Sequence, residues 1–254
     1  MIFSALTSIT FRNLSAEEII ALTAKAKVNA IEWGGDVHVP HGKLSLAREV
    51  RKKTVDAGIN ICSYGSYYFL CHSAENGLEF STVLETALEL GTKVIRIWPG
   101  KVDSADADEA FRESAVNEAV EIAKMAKEVG VELAFEYHLH SLTDTTESTL
   151  DLLNKINSEN VKCYWQPFSN LSVEENLEKL EAILPWLKNV HVFQWREDFS
   201  RLALSAGQEE WGKYFKKIFM KSEDLYAAIE FVKNDSPEQF ISDAKILKQL
   251  IGEQ

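Results

Sequence analysis

An eight-stranded parallel β/α barrel, built as a single domain over residues 1–254, is the fold class the sequence predicts. Three observations lead there. Short apolar runs alternate with amphipathic helical patterns eight times along the chain. The length, 254 residues, matches the roughly 250 such a barrel needs. Four runs in the second half, ELAFEYH, VKCYWQP, NVHVFQW and YAAIEFVKND, each place one polar residue suited to metal binding near a strand end: Glu136, Gln166, His191 and Glu230. Those residues recur at about the length of one strand-plus-helix unit, roughly 30 residues. Ligand-type side chains at one end of successive parallel strands is how a closed barrel assembles a single site, which makes an enzyme the leading expectation.

The elements follow in order. The first strand covers Ile2–Leu6, and its helix opens at Ser15, where Ser15 with Glu18 forms a capping box. Ile19, Ile20, Leu22 and Ala26 then recur at helical spacing. The second strand is Ala30–Trp33, followed by Gly34-Gly35-Asp36 and a helix over Leu44–Ala57. The third strand is Ile59–Tyr64 with a helix over Leu78–Leu90; the fourth is Lys93–Trp98, closed by Pro99-Gly100, with a helix over Asp106–Val129. The fifth strand is Val131–Tyr137, and its helix starts at the capping sequence from Thr145. The sixth is Val161–Trp165, with a second capping box at Ser172 and Glu175 opening a helix to Leu184. The seventh is Val190–Trp195 with a helix near Gln208–Lys217; the eighth is Tyr226–Val232, with a last helix from Pro237 to Leu250. No low-complexity linker interrupts the series. No G-x-G-x-x-G follows the first strand, which argues against a doubly wound open sheet.

Composition narrows the function classes. Hydrophobic residues make up 46% and charged residues 26%, enough for a sizeable core. The net charge of −12 repels phosphate backbones and anionic membranes, so neither nucleic acid nor membrane is expected as a partner. Cys62, Cys71 and Cys163 form no metal-type cluster, and Cys62 and Cys163 read as small buried hydrophobes. The N-terminus has no basic segment before an apolar stretch, and no run approaches ~20 apolar residues. The cytoplasm is the expected compartment. Self-association into a homo-oligomer is compatible with the sequence.

Alternate side chains of a barrel strand point inward, so Glu136 and His138 can both face the C-terminal cup. Glu230, between Ala-Ala-Ile and Phe-Val, is a charge too costly to bury without a partner. His191 serves such a site best if its strand begins earlier, near Trp186 or Leu187. Trp33, Trp98, Trp165 and Trp195 all end predicted strands and offer flat faces for the C–H side of a sugar. Arg96, Lys101 and Arg196 are candidates for a phosphate or carboxylate, or for plain salt bridges. His38, His41 and His72 read as loop histidines.

The succession LAFEYH, CYWQP, NVHVFQW and AAIEFV, with IEWGGDVHVPHG and RIWPGK, resembles the xylose isomerase-like TIM barrels, the sugar (phosphate) isomerase/epimerase group. The resemblance covers nearly the whole chain. It implies that Glu136, Gln166, His191 and Glu230 hold one divalent cation (Mn, Mg, Co or Zn). It also implies that Glu136 and Glu230 act as acid and base on a small sugar or polyol through an enediolate. Trp33, Arg96, Trp98, His138, Trp165 and Trp195 are then the expected substrate contacts. One departure stands out: the family usually has Asp, with a His three residues on, where this chain has Gln166 and Ser169. Fewer charged oxygens weaken affinity for hard cations. The alternatives implied are a dehydratase or lyase on a polyol or inosose, and a barrel that binds sugar without turnover. An abasic-site endonuclease shares the fold but needs more His and carboxylate ligands and a basic rim than this chain has.

Overall fold

In the computed structural model, which describes residues 1–253, eight parallel strands close in chain order. They are β1 (Ile2–Thr7), β2 (Ala30–Gly34), β3 (Asn60–Phe69), β4 (Val94–Trp98), β5 (Glu132–Phe135), β6 (Val161–Trp165), β7 (Leu187–Val192) and β8 (Leu225–Ile229). β8 pairs with β1 from Ile2 opposite Leu225 to Leu6 opposite Ile229, which removes both sheet edges. The helices are α1 (Ala16–Ala26), α2 (Leu44–Asp56), α3 (Phe80–Leu90), α4 (Glu109–Glu128), α5 (Thr146–Ile156), α6 (Val173–Ile183), α7 (Gln208–Ile218) and α8 (Pro237–Ile251).

The helix starts follow local chemistry. Ser15 with Glu18 and Ser172 with Glu175 both close reciprocal capping boxes. Thr145 accepts from the Ser148 amide, and Asp108 from the Phe111 amide. Pro237 occupies the first turn of α8, where its missing N–H leaves no helix bond unmade.

The main apolar cluster fills the layer between strands and helices. Two smaller clusters occupy the lumen: Ala5, Ala30, Cys62 and Ala228 on one side, and Val94, Ala134 and Tyr164 on the other. Above these small residues the inward positions turn polar, which sets the level of the site. No helix among the described residues is long and apolar enough to cross a membrane.

Four strands differ from the sequence reading by more than a residue, β8 among them, which ends at Ile229 rather than Val232 so that Glu230 lies just beyond it. β7 runs Leu187–Val192 rather than Val190–Trp195, because a 3₁₀ turn at Leu184–Trp186 delivers the chain straight into the strand. The apolar residues after Val192 belong to a loop lining the cup. β3 extends past Tyr64 to Phe69 across an irregularity between Gly65 and Tyr68, with Tyr67 at φ 53°. β5 stops at Phe135, so Glu136 lies one residue beyond it.

Candidate active site

Glu136, Gln166 and Glu230 each directly follow the last residue of a strand, and His191 is the penultimate residue of β7. The Glu136 amide still donates to the Ile97 carbonyl (3.1 Å), and the Glu230 amide to Val192 (3.0 Å). Both carboxylates therefore hang from backbone that the sheet holds. All four side chains are buried, and the β7 shift is what brings His191 level with the others.

The His191 ring is the hub. Its Nδ1 lies 3.1 Å from Gln166 Oε1, 3.4 Å from Glu230 Oε2 and 3.5 Å from Glu136 Oε1. Its Nε2 faces the other way, 3.4 Å from Oε1 of Glu32 on β2. Glu32 also accepts from Arg96 Nε (3.0 Å) and from Ser63 Oγ (2.6 Å), while Arg96 Nη1 pairs with Glu136 Oε2. A Cβ on Gly65 would sit 2.7 Å from Arg96 Nη2, so the bare glycine is what lets the guanidinium cross β3.

Charges at this spacing in a dry interior dominate one another's ionisation. Burial alone would raise the Glu136 carboxyl, yet Arg96 and then His191 bring it down to about 2. Glu32 is likewise held well below the usual carboxylate range, Arg96 outweighing its burial. Glu230 lies further from Arg96 in effect: burial and the neighbouring Glu136 raise its pKa despite His191. Burial would lower His191, but Glu230, Glu136 and Glu32 raise it to about 10.

Glu136, His191 and Glu230 can each offer one ligand atom within 4.8 Å of the other two. The donor set fits a divalent cation. Nδ1 of His191 and one oxygen each of Glu136, Glu230 and Gln166 would hold it. Three ionised carboxylates and one guanidinium leave two negative charges, which a divalent ion beside a neutral imidazole offsets. With Asp at position 166 the cluster would remain negative, so Gln166 and Arg96 are complementary features of one charge balance.

Over this cluster opens a cup of about 180 Å³, lined among others by Tyr67, Trp98, His138, Trp195 and Phe231. His138 packs on Trp98 with ring centroids 4.3 Å apart, and Trp195 stacks on Phe193 at 4.4 Å. Trp98, His138 and Trp195 thus stand where the sequence reading expects substrate contacts. Three others need correction. Trp165 is fully buried on the outer side of β6, against Trp211 and Tyr214 of α7, because its neighbours Tyr164 and Gln166 take the inward positions. Trp33 is also fully buried, packed against His38, since Glu32 takes the inward position in β2. Arg96 is 1% exposed and satisfies Glu32 and Glu136, so it is an internal counterion and not a phosphate contact.

The sequence reading missed Glu32 and Tyr67. Glu32 carried the signal that singled out Glu230, a lone carboxylate inside an apolar run. Tyr67 had no such signal, because its φ of 53° and the irregularity that aims it at the cup are tertiary features. Its hydroxyl accepts from Arg12 Nη2 at 3.0 Å.

A barrel with this polar ring at its C-terminal end defines a class, and the comparisons name it. The family model described as xylose isomerase-like TIM barrel matches residues 20–250, and the chain belongs to that family. Inosose isomerase of Bacillus subtilis (strain 168) is 27% identical over 105 residues, 41% of this chain and 38% of that protein. The chain thus aligns with well under half the length of the curated relatives it matches. Among solved structures, the probable 3-DHS dehydratase AsbF from Bacillus anthracis superposes with a TM-score of 0.80 at 20% identity, covering 97% of this chain and 98% of that one. A D-psicose 3-epimerase determined with D-fructose gives 0.72 at 16% identity, covering 98% and 99%.

Proposed function

We propose that this barrel is a metal-dependent isomerase or epimerase of a small sugar or sugar derivative, removing a proton from the carbon next to a carbonyl and returning it, to the neighbouring carbon or to the same one, through an enediolate. The observation that carries the reading is the contrast between two carboxyls facing one cup. Arg96 pairs directly with Glu136, while the cation beside Glu230 is the His191 ring at 3.4 Å, and burial with Glu136 still raises the proton affinity of Glu230. Glu230 is therefore the stronger base and takes the carbon-bound proton. Glu136 stays ionised and serves the opposite face of the substrate. Trp98, Trp195 and Phe231 cover the apolar side of the sugar, and His138 offers a ring nitrogen to a hydroxyl. A bound divalent ion supplies Lewis-acid polarisation of the substrate carbonyl. His191 and Gln166 would hold that ion and take no proton from substrate.

The resemblance to a probable dehydratase and to inosose isomerase supports a second reading, a lyase on a polyol or inosose. The same proton removal would then expel a neighbouring hydroxyl. Incubation with Mn²⁺ and a panel of aldoses, ketoses and inososes in D₂O, followed by proton NMR, separates the two. Deuterium beside the carbonyl with an intact set of hydroxyls is expected. Loss of water with a new conjugated absorbance would favour the lyase. Binding of a polyol without any exchange would contradict both and leave a sugar-binding barrel.

A further inference from the structure

We infer that Glu32 on β2 is a positioning residue for the cation site on the opposite half of the barrel. It acts by fixing the orientation and tautomer of His191 and by keeping Arg96 from over-neutralising Glu136. This rests on the proposal that the site holds a divalent ion.

Oε1 of Glu32 faces two donors at once, Nε2 of His191 at 3.4 Å and Nε of Arg96 at 3.0 Å. Its other oxygen is tied to Ser63 Oγ at 2.6 Å. The carboxylate is 1% exposed, and His191 Nε2 is buried with no hydrogen bond, so the 3.4 Å contact with Glu32 is an ion-pair approach to an otherwise unsatisfied ring nitrogen. With a cation among the oxygens of Glu136, Gln166 and Glu230, a proton on Nε2 facing Glu32 would leave the Nδ1 lone pair free for that ion, on the side where the ligand atoms converge. A carboxylate behind a ligating histidine both selects the tautomer and raises the ring's basicity.

The second action follows from the same oxygen. Arg96 lies between Glu32 and Glu136, and its guanidinium is fully buried. Without Glu32 its charge would fall on Glu136 alone and draw that carboxylate away from a cation. Gly65 is part of the device, since any side chain there would meet both Arg96 and Glu32 Oε1. β2, β3 and β4 thus supply no ligand, yet they determine whether those on β5 to β8 can act.

Calorimetry with Mn²⁺ on the purified protein and on Glu32→Gln tests this, with thermal unfolding as a fold control. The variant is expected to bind about 10- to 100-fold more weakly, the usual cost of losing such a partner. Long-range ¹H–¹⁵N spectra of the Zn²⁺-loaded protein supply a readout that a merely structural role would not move. His191 is expected to show one Nε2–H tautomer in the parent protein and loss of that single signature in Glu32→Gln. If Glu32→Gln does not fold, Ser63→Ala takes its place. It keeps the charge, removes the Oε2 tether and is expected to weaken binding in the same direction but less. Unchanged Mn²⁺ affinity with the same His191 signature, in whichever variant folds, would overturn the inference. Absence of Mn²⁺ binding by the parent protein would instead overturn the proposed function on which it rests.

Discussion

The two halves of the barrel divide the work differently. β5 to β8 each place a ligand-type side chain at the strand's end: Glu136, Gln166, His191 and Glu230. β2 to β4 place Glu32, Ser63, Gly65 and Arg96 at the same level, and these engage each other and the far half. One half is built to present atoms to something in the cup, the other to stabilise a concentration of charge that water cannot reach. An ion cluster this dry survives only when each charge is paired, and a change on either half is expected to fail in its own way.

The largest expected effects are on the presenting half. Glu230→Gln and Glu136→Gln should each lower turnover at least about a hundredfold while the protein stays folded, Glu230→Gln because it loses the proton acceptor, a role worth ~10²–10⁴, and Glu136→Gln because it loses an ionised carboxylate that would hold the cation. Steady-state kinetics beside circular dichroism check this. Unchanged turnover in either variant removes that residue from the chemistry.

On the stabilising half the loss should appear in folding. Arg96→Met leaves Glu32 and Glu136 buried without their counterion, a change expected to cost ~3–5 kcal/mol in denaturant unfolding. A cost below about 1 kcal/mol would mean that the cluster relaxes by taking up protons, and the division of labour would be lost.

The tryptophans give a third contrast. Trp165→Ala empties a site between β6 and α7 and should destabilise by ~3–5 kcal/mol. Trp98→Ala opens the cup and should raise KM with a smaller change in unfolding midpoint. Equal effects of the two would erase the distinction between wall and cup.

A smaller, graded effect concerns pH. His191 binds its proton up to about pH 10 in the protein without an ion, and a cation must displace it. Protonation therefore opposes metal binding at lower pH, and Mn²⁺ affinity should rise with pH, by at most about tenfold per unit for one displaced proton. Calorimetry between pH 6 and 9 reads the slope directly. A flat profile would mean that the ring is neutral before the ion arrives.

The difference between the halves also explains what the sequence revealed. Eight strands and eight helices were legible because apolar runs, capping boxes at Ser15 and Ser172, and unit spacing all agree. Glu136, Gln166 and Glu230 were legible because a polar side chain just after an apolar run has few places to go, and His191 because it is a lone imidazole inside one. Arg96 was singled out with a salt bridge as one of its two readings, but that the bridge is buried was not legible, since its counterions come from Glu32 on β2 and from Glu136 just after β5. Trp33 and Trp165 were misread because ending a strand does not say which face a side chain takes. The neighbouring Glu32 and Gln166 decide that, through the two-residue alternation.

The central claim is that Glu136, Gln166, His191 and Glu230 form one cation site despite the amide at position 166. Mn²⁺ calorimetry on the parent protein and on Gln166→Glu tests it most directly, because the variant keeps the reach of the side chain and adds a charge. The account predicts one ion per chain in both, held more tightly by Gln166→Glu, since hard cations favour carboxylate over amide oxygen. Equal affinity would put Gln166 outside the ligand set, and no binding by either form would contradict the account.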